Sequence, residues 1–189
     1  MIESDEQLVA AAQSASELIQ QISDYLGDRN CEEGKIRFPR GYMRACIVHR
    51  NKYTFIKDPI LRRNIAYALL TTDVFRWLLN RTDLAIVAKE MIIKQGIAIF
   101  GSIAEAATKD YLKGKPGGGK NYKKRLDVLY ENGEIDEETK GGLDWLWDLR
   151  NSLHLMLLTD PEYEKYTMKD YNRAVLTLMK LRVCLGGEP

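Results

Sequence analysis

No CxxC pair occurs in this chain. Its three cysteines, Cys31, Cys46 and Cys184, are odd in number and far apart. This spacing gives neither a zinc knuckle nor a disulfide framework, and it fits a reducing cytoplasm, the expected location. No apolar run approaches the length needed to cross a bilayer. The N-terminus is acidic (Glu3, Asp5, Glu6) and lacks the basic-then-apolar order of a signal peptide, so no membrane partner is expected. Period-two alternation is not sustained anywhere, which leaves room for a short hairpin near Cys46-Ile47-Val48 at most. Internal repeats are missing too. The net charge of +1 gives no global attraction to nucleic acid, so any polyanion site must be a local patch. There is no Glu-x-x-His pattern, so a carboxylate-bridged di-metal bundle is not expected, nor is any metal or cofactor.

What the chain does have is helical periodicity. Its 189 residues, 45% hydrophobic, suffice for one compact domain with a sizeable core. Leu8, Ala11, Ala15, Leu18, Ile19 and Ile22 give Glu6 to Leu26 an amphipathic helical face, ended by Gly27-Asp28-Arg29-Asn30. Cys31 to Phe38 reads as a charged loop. Pro39 is placed to open a helix carrying Tyr42, Met43, Cys46 and Ile47, with Tyr53 a further candidate. Asp58-Pro59 is an N-cap followed by proline at the first helical position, and a helix to about Asn80 follows. Leu84 to about Leu112 is apolar on more than one face and is expected to be the central helix. Lys113 to Lys120 holds four glycines and reads as a flexible loop. A short helix over Tyr122 to Tyr130 comes next, then one capped by Asp136 running to about Leu157, and a last one over Thr167 to Leu185. The expectation is a single all-α domain over 1–189, an up-and-down bundle. Helices within 1–80 would pack on a core spanning 84–185.

Function is expected to lie in the run Trp145-Leu146-Trp147-Asp148-Leu149-Arg150-Asn151-Ser152-Leu153-His154-Leu155. If that run is helical, Arg150, Asn151 and His154 share one face. A cation, an amide and an imidazole on an otherwise apolar helix can hold a phosphate and move a proton beside it. The plainer reading is a structural knot in which Asp144 or Asp148 pairs with Arg150.

The order of elements around this run adds to the reading. A basic short helix ends in Leu126-Asp127-Val128-Leu129-Tyr130-Glu131-Asn132-Gly133. Ile135-Asp136 follows, and then the helix with Leu149-Arg150-Asn151-Ser152-Leu153-His154-Leu155. Together with Gly101-Ser102-Ile103-Ala104-Glu105-Ala106 on the preceding long helix, this resembles the HEPN superfamily of small helical domains over about residues 84–185. Members of that family carry an Arg-x(4–6)-His motif on a late helix; here three residues separate Arg150 from His154. The resemblance implies a homodimer that joins two motifs across its interface. It also implies metal-independent RNA cleavage in many members and plain nucleic-acid or nucleotide binding in others. In such a site His154 takes or supplies the proton, Arg150 holds the scissile phosphate, and Asn151 bonds phosphate or fixes the imidazole. One histidine cannot easily be both base and acid, and a symmetric partner would supply the second. A helical dimerisation or interaction protein with a degenerate site is the alternative.

Three further features are candidates. Lys113, Lys115, Lys120, Lys123, Lys124 and Arg125 form a basic cluster opposed only by Asp110, suited to a phosphate backbone or simply to solvent. Trp145 and Trp147, and then Tyr163 and Tyr166, could stack a base or fill an interface or core. Arg44 and His49 match Arg-x4-His by count, but residues five apart diverge on a straight helix. Arg40, Arg44 and Arg50 are therefore expected to form a solvated face.

Overall fold

A computed structural model describes residues 1–153 and 165–188. The protein is all-α, with seven helices and no strand among the described residues. They are α1 (Asp5–Leu26), α2 (Cys46–Asn51), α3 (Pro59–Arg81), α4 (Ile86–Tyr111), α5 (Tyr122–Glu131), α6 (Glu137–Ser152) and α7 (Met168–Cys184). Where the sequence reads as one domain, the chain divides into two compact units, Met1–Arg40 and Gly41–Pro189. The first unit is α1 and the loop after it. Ser4 caps α1 by accepting a hydrogen bond from the Gln7 backbone N–H.

The second unit is a helical bundle around α4, which packs against α3, α5, α6 and α7. Ile93, Ile97, Phe100, Ile103, Ala104 and Ala107 of α4 are buried, and Leu126, Leu129, Leu143, Leu146, Leu178 and Leu181 close on them from three other helices. Each such leucine or isoleucine, fully removed from water, contributes roughly 1.5–3 kcal/mol before chain entropy is counted. Two α4 glycines set how closely the neighbours approach. A Cβ at Gly96 would stand 2.5 Å from the Tyr171 ring of α7, and one at Gly101 would stand 2.9 Å from Arg150 Cβ of α6. Side chains on both flanking helices thus lie directly on the α4 backbone.

Local signals start most of these helices. The Asp58 carboxylate accepts from the Ile60 and Leu61 N–H groups at 2.8 and 3.1 Å, with Pro59 at the first position of α3. Asp136 accepts from the Thr139 N–H to start α6. Thr167 and Asp170 exchange bonds in a capping box at α7.

One helix expectation is corrected. Pro39 opens no helix: Tyr42 and Met43 lie in a turn and bend, and helix begins only at Cys46, with α2 six residues long. A tertiary anchor holds this segment off helical geometry, because the Arg44 backbone N–H is bound to the Asp73 carboxylate of α3. Helix α6 spans Glu137–Ser152 with Leu153 as its C-cap, and the expected end near Leu157 lies outside the described residues. No helix among the described residues is long and apolar enough to cross a membrane.

Candidate functional site

The Arg-Asn pair of the motif lies on the last turn of α6. Arg150 and Asn151 are half-buried, and Arg150 Nη1 donates to Asn151 Oδ1 at 3.1 Å. Neither Asp144 nor Asp148 is the partner of Arg150. Asp144 pairs with Lys140 and Asp148 with Lys123. The carboxylate facing Arg150 is Glu105 of α4, with Nη2 and Oε2 3.6 Å apart and both side chains partly open to solvent. The guanidinium also lies over the Trp147 ring, 5.3 Å from its centroid. His154 and Tyr163 fall outside the described residues.

The start of α5 packs beside this pair. Tyr122 and Trp147 stack with ring centroids 4.4 Å apart and planes 19° from parallel. Lys123 Nζ lies 2.7 Å from Asp148 Oδ1. Of the six expected phosphate-contacting cations, Lys113, Lys115, Lys120, Lys123 and Lys124 are exposed. Arg125 is the exception and corrects the expectation for that position. It is buried, and its Nη1 donates to the Lys120 carbonyl, holding the end of the glycine-rich loop against α5. Burial pushes its guanidinium below the usual arginine range, against the opposing influence of Glu105 and Tyr122. Trp145 lies under Arg173, 4.1 Å from ring centroid to guanidinium carbon, and Tyr166 is buried.

A second polar cluster in the second unit holds His49 and Arg44, the latter expected with Arg40 and Arg50 on a solvated face. Arg40 is exposed as expected, but Arg44 and His49 converge on one carboxylate. The Arg44 backbone N–H donates to Asp73 Oδ2 at 3.0 Å, its Nε reaches both carboxylate oxygens at 3.2 Å, and its Nη2 reaches Oδ1 at 2.5 Å. His49 Nε2 lies 3.0 Å from Asp73 Oδ2. Arg76, one turn along α3, approaches Oδ1 at 3.6 Å. The two side chains do not diverge, because Arg44 precedes α2 in non-helical backbone while His49 is on it.

Charge states follow from these contacts. Burial alone would raise the Asp73 carboxyl, but the side-chain and backbone bonds from Arg44, its charge and the His49 contact outweigh that and hold it below the ordinary range. The His49 imidazole is lowered, first by burial and then by the Arg44 and Lys52 charges, although Asp73 pulls the other way. The resulting state is an ionised Asp73 beside a neutral His49 whose Nε2–H donates to it.

Above these groups is a cavity of about 170 Å³, lined also by Lys52, Tyr53, Tyr171 and Arg182. Asp73, Arg76 and Arg182 are the residues that sequence reasoning missed. A signal existed: Ile65, Leu69 and Thr72-Asp73 continue the buried stripe of α3, and Leu178 and Leu181-Arg182 that of α7. A charge on a core-facing stripe demands a partner.

No family model, curated protein or solved structure matches the chain.

Proposed function

We propose that the protein is a HEPN-like RNA-binding domain that acts as a homodimer and cleaves its bound strand without metal. In this reading Arg150 and Asn151 grip the phosphate, and His154 moves the proton. Lys113, Lys115, Lys120, Lys123 and Lys124 provide the electrostatic track that leads the strand to them.

One observation carries the reading. The Tyr122–Trp147 stack and the Lys123–Asp148 pair join the basic loop-and-helix segment to the turn that bears Arg150 and Asn151. Two features far apart in the sequence, each suited to a phosphate backbone, thereby share one region of the surface. Arg150 retains part of its surface for a ligand, and its contact with Glu105 is long enough for a phosphate oxygen to compete.

A second reading, binding without turnover, is favoured by the motif spacing, since three residues separate Arg150 from His154 in place of four to six.

The test uses purified protein, a labelled single-stranded RNA and a metal chelator. Cleavage that persists in chelator and disappears in His154→Ala, with dimer mass unchanged, supports the nuclease. Salt-sensitive binding with no turnover supports the second reading. Absence of RNA binding at low salt overturns both.

A further inference from the structure

The cavity beside His49 and Asp73 contains more positive charge than its own carboxylate can balance. Arg44, Arg76 and Arg182 line it, and Asp73 is the one acid among its lining residues. Both oxygens of that acid are already engaged by Arg44, His49 and Arg76. The strongest sign is at Arg182. It is only 7% exposed, and its Nε is buried with no hydrogen-bond partner among the described residues. A buried guanidinium without a carboxylate beside it is costly, and folded proteins rarely keep one unless a counter-charge is supplied.

Arg182 is also held in place. Its carbonyl accepts the Gly187 N–H at 2.8 Å, and the backbone at Gly187 packs so closely that a Cβ there would meet Arg182 Cγ at 2.6 Å and the Lys52 carbonyl oxygen at 2.5 Å. The guanidinium lies 5.9 Å from the centroid of the buried Tyr53 ring. The cations are close enough to act on one another. Lys52 is held below the usual lysine range first by burial and then by the Arg182 and Arg44 charges, which outweigh Glu188. Arg44 and Arg76, at 39% and 42% side-chain exposure, mark the open side.

We propose that this cavity binds the phosphate group of a small phosphomonoester, with Arg182 at its floor and Arg76 at its mouth. An anion there would supply counter-charge to Arg182 and relieve the repulsion among the cations, and a dianion would do so better than a carboxylate. Size limits the ligand. A volume of about 170 Å³ is several water molecules' worth, yet it lies below the roughly 300–1,000 Å³ typical of sites for drug-sized molecules. That space suits a phosphate with a small body and is too tight for a dinucleotide. Phe100 and Leu178 form an apolar wall against which such a body would rest.

The test is calorimetric titration of the full chain with inorganic phosphate and with phenyl phosphate, at fixed ionic strength. Both are expected to bind, and Arg182→Gln is expected to weaken binding about tenfold or more, the loss of one charge-assisted hydrogen bond. Tighter binding of phenyl phosphate identifies a phosphomonoester site, whereas equal or tighter binding of inorganic phosphate identifies a free-phosphate site. Arg76→Gln, at the exposed mouth, should weaken binding several-fold, and it serves as the variant should Arg182→Gln lose its helical circular dichroism. The proposal is overturned if neither ligand releases heat at millimolar concentration, or if a folded Arg182→Gln or Arg76→Gln chain binds as the parent does.

Discussion

His49 Nε2 and Asp73 Oδ2 are 3.0 Å apart, with both side chains sealed from solvent. This pair ties the chain before α2, and α2 itself, to the middle of α3. It also makes the fold sensitive to acid. In the folded state His49 and Asp73 both hold their protons less tightly than in the unfolded chain. The unfolded chain therefore binds more protons as pH falls, and stability drops with it. The first loss begins as pH falls through the ordinary histidine value of 6.5, and the second below the ordinary carboxyl value of 3.8. Thermal melts followed by circular dichroism should show Tm falling between pH 7.5 and 5, and His49→Gln should flatten that step. A Tm that stays level in the parent protein over this interval would contradict the assignment.

Removing the carboxylate should cost far more than removing its exposed partner. Asp73→Ala leaves His49 without its bond and two guanidinium groups without their counter-charge, a loss of about 3 kcal/mol by analogy with other broken buried pairs. Arg44→Ala should cost only about 1 kcal/mol, because its guanidinium is partly hydrated and water replaces part of the contact. Urea titrations of the two variants give the comparison directly. Equal costs would mean that Asp73 is held by something other than the cluster described.

For the motif region, Arg150→Ala should weaken RNA binding and lower the salt slope by about 0.7, the share of one single-strand phosphate contact. Glu105→Gln should act in the opposite direction, since it removes the carboxylate facing the guanidinium. Filter binding across a series of salt concentrations reads both. If Glu105→Gln leaves affinity unchanged while Arg150→Ala lowers it, the Glu105 contact does not compete with phosphate.

Along α4, Gly96→Ala and Gly101→Ala should each destabilise by about 1–3 kcal/mol through overpacking. Their consequences should differ. Gly96→Ala presses on the Tyr171 ring that lines the cavity, whereas Gly101→Ala pushes Arg150 outward. Chemical denaturation gives the costs, and RNA binding separates the two, with only Gly101→Ala expected to alter it.

Helices were legible wherever the signal was local. Asp58-Pro59 and Asp136 cap what their chemistry says they cap, and the run from Ile86 to Tyr111 is the central helix that its all-round apolarity predicts. Long-range bonds explain what was missed. Tyr42 and Met43 have the spacing of a helix, but Arg44 is claimed by an aspartate 29 residues away, and local propensity does not encode that contact. Arg125 reads as one more cation in a basic run, yet its backbone position on α5 turns it inward to the Lys120 carbonyl. In the plainer reading Asp144 or Asp148, near in sequence, pairs with Arg150. Glu105 reaches it instead because Gly101 lets α4 and α6 come close.

The Tyr122–Trp147 stack has a practical consequence. All three tryptophans lie among the described residues: Trp77, Trp145 and Trp147. Trp147 borders Arg150, and none of the three lines the cavity beside Asp73, where the aromatic rings are Tyr53, Phe100 and Tyr171. Indole emission therefore offers an optical readout biased toward one region: a polynucleotide reaching Arg150 should quench or shift it, and an anion entering the cavity should leave it nearly untouched.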